Sequence, residues 1–286
     1  MKQTLKLKVV LTQKSKFPKT LPLEVILNDE FQYGIMKGNR FFASQYEKDG
    51  FIAYHPDHIG RGIRVVWNPK EEESIKLVLL LPSTYEEIHD FITMIARITK
   101  AWTCTVTLNG DPLTTQELID QEEEIERMNS KVLQDFVVNL IENENQFMEM
   151  QCALHQLSIS KQEVTHWLNQ SSTDLFRNWL HERQQEMVYT VEPEILEKED
   201  EKIGLFTIPM GVPVLLPKKP MVEKQKIAQW MVQFYNAEEN TVLAYYAFDE
   251  LLKLLKENKK RDYDALYWMI GPMQESDLEA LRLGRA

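Results

Sequence analysis

Only two cysteines, Cys104 and Cys152, occur in 286 residues. Two thiols cannot build a disulfide framework, and Cys104 lies in an apolar strand-like run where a thiol serves as a small hydrophobe. No apolar run approaches the roughly 18 residues a membrane-spanning helix needs. Met1-Lys2 leads into alternating residues rather than the apolar core of a signal peptide, so the expectation is a soluble, cytoplasmic protein. Glycine is scarce, with ten in the chain. There is no glycine-rich phosphate cradle, no nucleophile elbow, no HExxH and no CxxC pair, which removes the local signatures of several enzyme classes. Sites assembled from distant residues stay open. Positive charge is also in deficit, at 33 Lys and Arg against 44 Asp and Glu. A net charge of -11 opposes wholesale binding to nucleic acid or to an anionic membrane surface.

What is present suffices for a core. Hydrophobic residues make up 43% and aromatics 10% of the chain, which rules out global disorder and leaves room for two domains or one with a helical insert. The chain is organised around Arg61 to Thr107, which reads strand (63–67), acidic turn (69–74), strand (75–81), helix, strand (103–107). Thr84-Tyr85-Glu86-Glu87 has capping-box spacing, in which Thr84 takes a helix N–H and Glu87 reaches back. Ile88, Phe91, Ile92, Ile95 and Trp102 follow at three- and four-residue intervals and form one apolar face. Glu86 and Glu87 in the first turn, and Arg97 and Lys100 in the last, complement the helix dipole.

Before this stretch, Leu5, Leu7, Val9 and Leu11 alternate as in a half-buried strand. Six lysines and no acid occur from Lys2 to Lys19, read as an edge strand guarded by lysine or, second, as a docking surface for an acidic partner. After Pro22, Leu23 to Leu27 reads as another strand. Thr115 to Met128 reads as an exposed helix, Asn129-Ser130 as the cap of the next, and Phe147, Met150, Leu154 and Leu157 as its helical continuation. From Glu192 to Lys202 charge dominates around Pro193, the signature of a linker. A second strand–turn–strand–helix–strand order follows at 227–235, 241–246, 248–257 and 262–270. The expected fold is α+β: two strand–strand–helix–strand units, with mixed or antiparallel sheets, flanking a helical middle. The expected division is 1–114, helical 115–191, linker 192–202 and 203–286.

Two stretches invite functional readings. His55-Pro56-Asp57-His58 is the tightest His/Asp cluster, and imidazole and carboxylate are ligands for a borderline metal or partners in base catalysis. Structural zinc wants four ligands, and a turn at Pro56 accounts for the same residues, so His55, Asp57 and His58 are candidates rather than an assigned site. Leu154 to Leu168 has the apolar spacing of a helix-turn-helix, with Lys161, Gln162, His166 and Asn169 towards a major groove. Leu154 stands where that motif prefers a small residue and Ser158 where it prefers glycine. A plain helix capped by Ser160 and Glu163 explains the segment as well.

At Gly60-Arg61-Gly62-Ile63, Leu81-Pro82-Ser83-Thr84, Asn109-Gly110 and Tyr263-Asp264-Ala265 the chain resembles an uncharacterised Firmicutes family, domain of unknown function 4299. The resemblance implies a bacterial, cytoplasmic α+β protein and transfers no catalytic residue and no cofactor. The preferred expectation is a non-enzymatic protein-binding protein, of immunity or regulatory-adaptor type, whose partner is another protein. An enzyme or a small-ligand or metal-binding protein is the alternative, and DNA binding through the helix-turn-helix-like segment is third.

Overall fold

Alternating Leu7, Val9 and Leu11 form β1 (Lys6–Gln13), all three buried, in a computed structural model of the chain. The structure describes residues 5–14, 21–37, 40–67, 74–143, 147–169, 173–186, 188–198, 201–220, 222, 226–256 and 259–283. The chain divides into two units, Met1–Gln185 and Glu186–Ala286. With eight helices among the described residues and 38% of residues in strands, the fold is α+β.

In the first unit β1 is followed by α1 (Leu23–Leu27), β2 (Gln32–Lys37), β3 (Arg40–Ala43), β4 (Phe51–Tyr54), β5 (Ile63–Val66), β6 (Ser74–Leu80), α2 (Tyr85–Ala101), β7 (Cys104–Leu108) and β8 (Asp111–Leu113). The strands form one antiparallel sheet in the order β3-β2-β4-β5-β6-β1-β7-β8. β1 fills the slot between β6 and β7, so it is an interior strand and not the expected guarded edge. Its described lysines, Lys6 and Lys8, belong to the alternate set that points away from the core. The expected face of α2 is buried against the sheet: Ile88, Phe91 and Ile95 are fully enclosed, and Met94 and Ile98 join them.

Leu23–Leu27 is a helical turn rather than a strand. Pro22 enters it in extended conformation and Asn28, left-handed at φ 51°, ends it, a stop signal stronger than five ambiguous apolar residues. Arg97 of α2 caps it, donating from Nε to Val25 O at 2.9 Å and from Nη2 to Ile26 O at 2.7 Å.

After β8 come α3 (Thr115–Asp120), α4 (Glu122–Glu142), β9 (Phe147–Gln151), β10 (Gln156–Ser160), α5 (Lys161–Asn169) and α6 (Thr173–Gln185). The stretch 115–191 is therefore not helical throughout. Asn129 and Ser130 sit inside α4 rather than capping a new helix. Phe147 to Leu157 forms an antiparallel hairpin, because Met148, Met150 and Cys152 also alternate, and strand period won over helical period. β10 stands where a helix-turn-helix needs its first helix, so that reading fails. Ser160 and Glu163 do cap α5: Glu163 Oε2 accepts from Ser160 N at 2.8 Å and from its hydroxyl at 2.5 Å.

The second unit contains β11 (Tyr189–Thr190), β12 (Glu194–Lys198), β13 (Glu201–Pro209), β14 (Val214–Pro217), β15 (Gln229–Asn236), β16 (Thr241–Ala247), α7 (Phe248–Leu254), β17 (Lys260–Asp262), β18 (Tyr267–Ile270) and α8 (Glu275–Arg282). Of the stretch 192–202, expected as a linker, residues 199 and 200 lie outside the described residues, and 194–198 and 201–202 belong to the antiparallel pair β12–β13, in which Glu194 faces Leu205 and Lys198 faces Glu201. The described charges of this run face one another across the pair, Glu197 opposite Lys202 and Lys198 opposite Glu201, where partners of opposite sign suit solvent. The repeated strand–strand–helix–strand order exists locally, but its partners differ. β5, β6 and β7 share one sheet, whereas β15 and β16 lie in the sheet β12-β13-β15-β16, and β17 and β18 in β11-β14-β18-β17. Phe206, Val232, Phe234, Leu216, Leu251 and Ile270 join both sheets and α7 in a core of their own.

Phe91 is fully buried at the centre of the first unit's core. Phe91→Ala is expected to destabilise the protein by about 3–5 kcal/mol, measured as a lower urea midpoint at unchanged slope.

Candidate functional site

The start of α2 departs from the capping box in an informative way. Thr84 Oγ1 accepts the Glu87 N–H at 3.2 Å as expected. The Glu87 side chain does not reach back to Thr84. It turns inward, where Oε1 accepts the Gly62 N–H at 2.6 Å and Oε2 accepts the Arg61 N–H at 2.9 Å and contacts the Ser83 hydroxyl. Glycine is required twice here. A Cβ on Gly60 would stand 2.5 Å from Glu87 Oε2, and Gly62 sits at φ +72° with Ile52 Cγ2 2.4 Å from where its Cβ would be. Ser83 follows the cis Leu81-Pro82 bond and is clamped in turn by α4. Its N–H donates to Asn129 Oδ1 at 2.8 Å, and Asn129 Nδ2 donates to Ser83 O at 2.9 Å.

Arg61, Ser83, Thr84, Glu87 and Asn129 are all buried. The Arg61 guanidinium donates from Nε to Gln151 O at 2.9 Å and from Nη1 to Pro82 O at 3.3 Å, tying β9 to the turn before α2. Burial pushes the Glu87 carboxyl above its ordinary range, against the pull of the Ser83, Arg61 and Gly62 hydrogen bonds and the Arg61 charge. Burial also pushes the Cys152 thiol up to about 12, with Arg61 opposing. A thiol so placed is not a nucleophile at neutral pH. Both oxygens of Glu87 are occupied, so the cluster's visible work is to hold two turns and α4 together.

Arg61 also reaches a surface cleft of about 200 Å³ between α4 and β9. Leu81, Val132, Phe136, Met148 and Met150 supply apolar wall, and Asp135 and Glu149, both exposed, stand among the lining residues.

The His/Asp cluster of the sequence is partly assembled. His55 and His58 stack with ring centres 4.1 Å apart and planes 9° apart. His55 Nδ1 accepts the Asp57 N–H at 3.2 Å, a turn contact. The carboxylate that meets His58 is not Asp57 but Asp90 of α2, at 2.7 Å from Nε2. His181 of α6 closes the loop, its Nδ1 accepting the Ile59 N–H at 2.9 Å, and burial, with His58 nearby, lowers its proton affinity. Among the described residues no three His, Cys, Asp or Glu side chains are placed to hold a metal. His89 pairs with Glu122 at 2.8 Å on the outer side of α2.

The residues that converge on Glu87 come from the stretches Gly60–Gly62 and Leu81–Thr84. The family model described as Domain of unknown function (DUF4299) matches residues 6–281. The chain belongs to this family. The match spans both units of the chain, and the family's description assigns no activity. No curated protein matches the chain, and no solved structure does. No helix is long and apolar enough to cross a membrane among the described residues.

Glu87→Gln replaces an acceptor by an amide whose N–H₂ faces donors, and it is expected to cost about 1–3 kcal/mol. A carboxyl whose folded value is raised contributes stability that is fully present below its ordinary value of 4.5 and is lost as pH rises through the raised folded value. The wild-type urea midpoint should therefore decline over that window through Glu87, and Glu87→Gln should lack this component. Parallel pH profiles for the two proteins would refute the assignment.

Proposed function

We propose that this protein is a non-enzymatic binding protein, of adaptor or immunity type, that receives a segment of another protein in the cleft between α4 and β9. The observation that carries this reading is the pairing of an open apolar cleft with a neighbouring polar cluster whose carboxyl and thiol are both committed. The Glu87 carboxyl is filled by three donors and the Cys152 thiol is held protonated, so the polar groups beside the cleft stiffen its walls. Rigid apolar walls with a charged rim suit the capture of a partner's side chains. The acidic net charge favours a basic or neutral partner over nucleic acid.

One contact favours a second reading. The His58–Asp90 pair is an oriented imidazole of the kind that serves as a base, which keeps a small-ligand or catalytic role open for that loop.

The test blocks the cleft without entering the core. Asn139 lines it and is only half-buried, so Asn139→Trp fills the space while leaving α4 intact. Tagged protein recovered from native cells is expected to carry a stoichiometric partner that Asn139→Trp loses, whereas Tyr245→Ser, on a strongly exposed residue of β16, retains it. Equal recovery with all three proteins would remove the cleft from the function.

A further inference from the structure

Arg61 is more heavily charged than its structural work demands. Only 4% of it is exposed. A guanidinium offers five N–H donors, and here Nε serves Gln151 O and one Nη1 hydrogen serves Pro82 O. No carboxylate pairs with it among the described residues. Glu87, the nearest acid in electrostatic terms, spends its oxygens on the Arg61 and Gly62 backbone N–H groups and on Ser83. The remaining donors belong to a buried cation that contributes to the cleft wall. Glu87 attracts this charge but makes no ion-pair contact with the guanidinium, and the planar fork of arginine matches a carboxylate with two parallel hydrogen bonds.

The rest of the cleft narrows the ligand. Asp135 and Glu149 are exposed and Arg61 is buried, so the lining carries negative charge on its exposed residues and positive charge on a buried one. A free inorganic anion would be repelled on entry. A ligand with a carboxylate leading, an apolar body and a cationic group behind is complementary at all three levels. The volume, about 200 Å³, is below the 300–1,000 Å³ that encloses a typical small-molecule ligand. It holds about one side chain and a terminal group, so most of the ligand must remain outside.

We propose that the cleft captures the C-terminal end of a partner polypeptide. The free α-carboxylate meets Arg61, the last side chain is apolar and lies against Val132, Phe136, Met148 and Met150, and a Lys or Arg just upstream faces Asp135 and Glu149. Capture of a terminal carboxylate is an established way of reading chain ends. This inference rests on the binding reading above and adds the chemistry of the bound segment.

The test uses the full chain and two matched libraries of random hexapeptides, one ending in free carboxylates and one in amides. Peptides retained by the protein are labelled with fluorescein and titrated by anisotropy. Retained sequences are expected to end in an apolar residue with a basic residue upstream. Conversion to the amide should weaken binding more than about tenfold, as loss of a charge-assisted pair does. Arg61→Gln should remove the distinction between acid and amide. Because that variant touches the core, the double variant Asp135→Asn, Glu149→Gln, confined to exposed positions, provides an independent reading. It should weaken basic peptides about three- to tenfold and flatten their salt dependence. Equal affinity of acid and amide forms overturns the proposal. If the two forms bind the wild type equally and Asn139→Trp abolishes both, the docking reading survives and only the role of Arg61 fails. Retention of no peptide from either library overturns the C-terminal proposal, while the cellular partner experiment decides the broader reading separately. Decanoate that displaces the label with affinity unchanged by the rim substitutions assigns the cleft to small carboxylates and overturns it as well.

Discussion

The first unit depends on burying one carboxyl group where only well-placed donors make burial tolerable. An unpaired polar group taken from water costs several times what a typical hydrogen bond returns, so the geometry around it cannot be loose. Glu87 obtains its partners from backbone N–H groups of the Gly60–Gly62 turn and from Ser83, which fixes both turns relative to α2. Asn129 extends the same constraint to α4, and Arg61 extends it to β9. Four segments far apart in sequence are thus held by a network in which removing one member leaves others unsatisfied. Networks of this kind specify one arrangement more than they add to stability. The cleft between α4 and β9 inherits its shape from that arrangement.

The second unit reaches order by a different route. Its two sheets each contain a parallel pair, β13 with β15 and β11 with β14, and share an apolar core with α7 and α8. Polar ties there are both distant, as from Arg282 Nη2 to Leu243 O at 2.8 Å and from Gln233 Nε2 to Thr207 Oγ1 at 2.7 Å, and local. Asp264 Oδ1 accepts from the N–H groups of Leu266 and Tyr267 and so shapes the turn into β18. The matching strand–strand–helix–strand order in the two units comes from short local connections, and sheet partnership, not chain order, distinguishes them.

How much of this the sequence disclosed follows from the range of each interaction. α2 was legible because its apolar period, first-turn acids and Thr84 cap are all local, and β5 to β7 were legible as short apolar runs around it. α1 and the β9–β10 hairpin were not, because their apolar spacings fit two periods and distant packing chose between them. The run 192–202 misled for another reason: charge and Pro193 mark solvent exposure, which a hairpin's outer strand shares with a linker. The site was hidden by its own disguise. Glu87 stands at the capping-box position and was read as a cap, and nothing local reveals that its partners lie 25 and 26 residues earlier. The short motifs Gly60-Arg61-Gly62 and Leu81-Pro82-Ser83-Thr84 did mark the right turns. The His/Asp cluster shows the converse. Adjacency in sequence joined Asp57 to His58, whereas the fold gives His58 the carboxylate of Asp90.

Arg61 differs from the rest of the network in a way that bears on function. Its two protein acceptors are neutral carbonyls, Gln151 O and Pro82 O. A glutamine amide offers two donors and could serve two such oxygens without bringing a charge into the interior. Ion pairs buried for stability alone are often replaceable by neutral or apolar groups at no loss, and here Glu87 attracts the guanidinium without forming an ion-pair contact, so the charge is a poor structural choice. The charge becomes sensible when a countercharge arrives from outside. In the proposed complex the apolar cleft would give that arrival a path, and the carboxylates of Asp135 and Glu149 would set its orientation. Rigid support of the guanidinium by two carbonyls then acts as preorganisation, because the cation is already desolvated and held before any ligand binds.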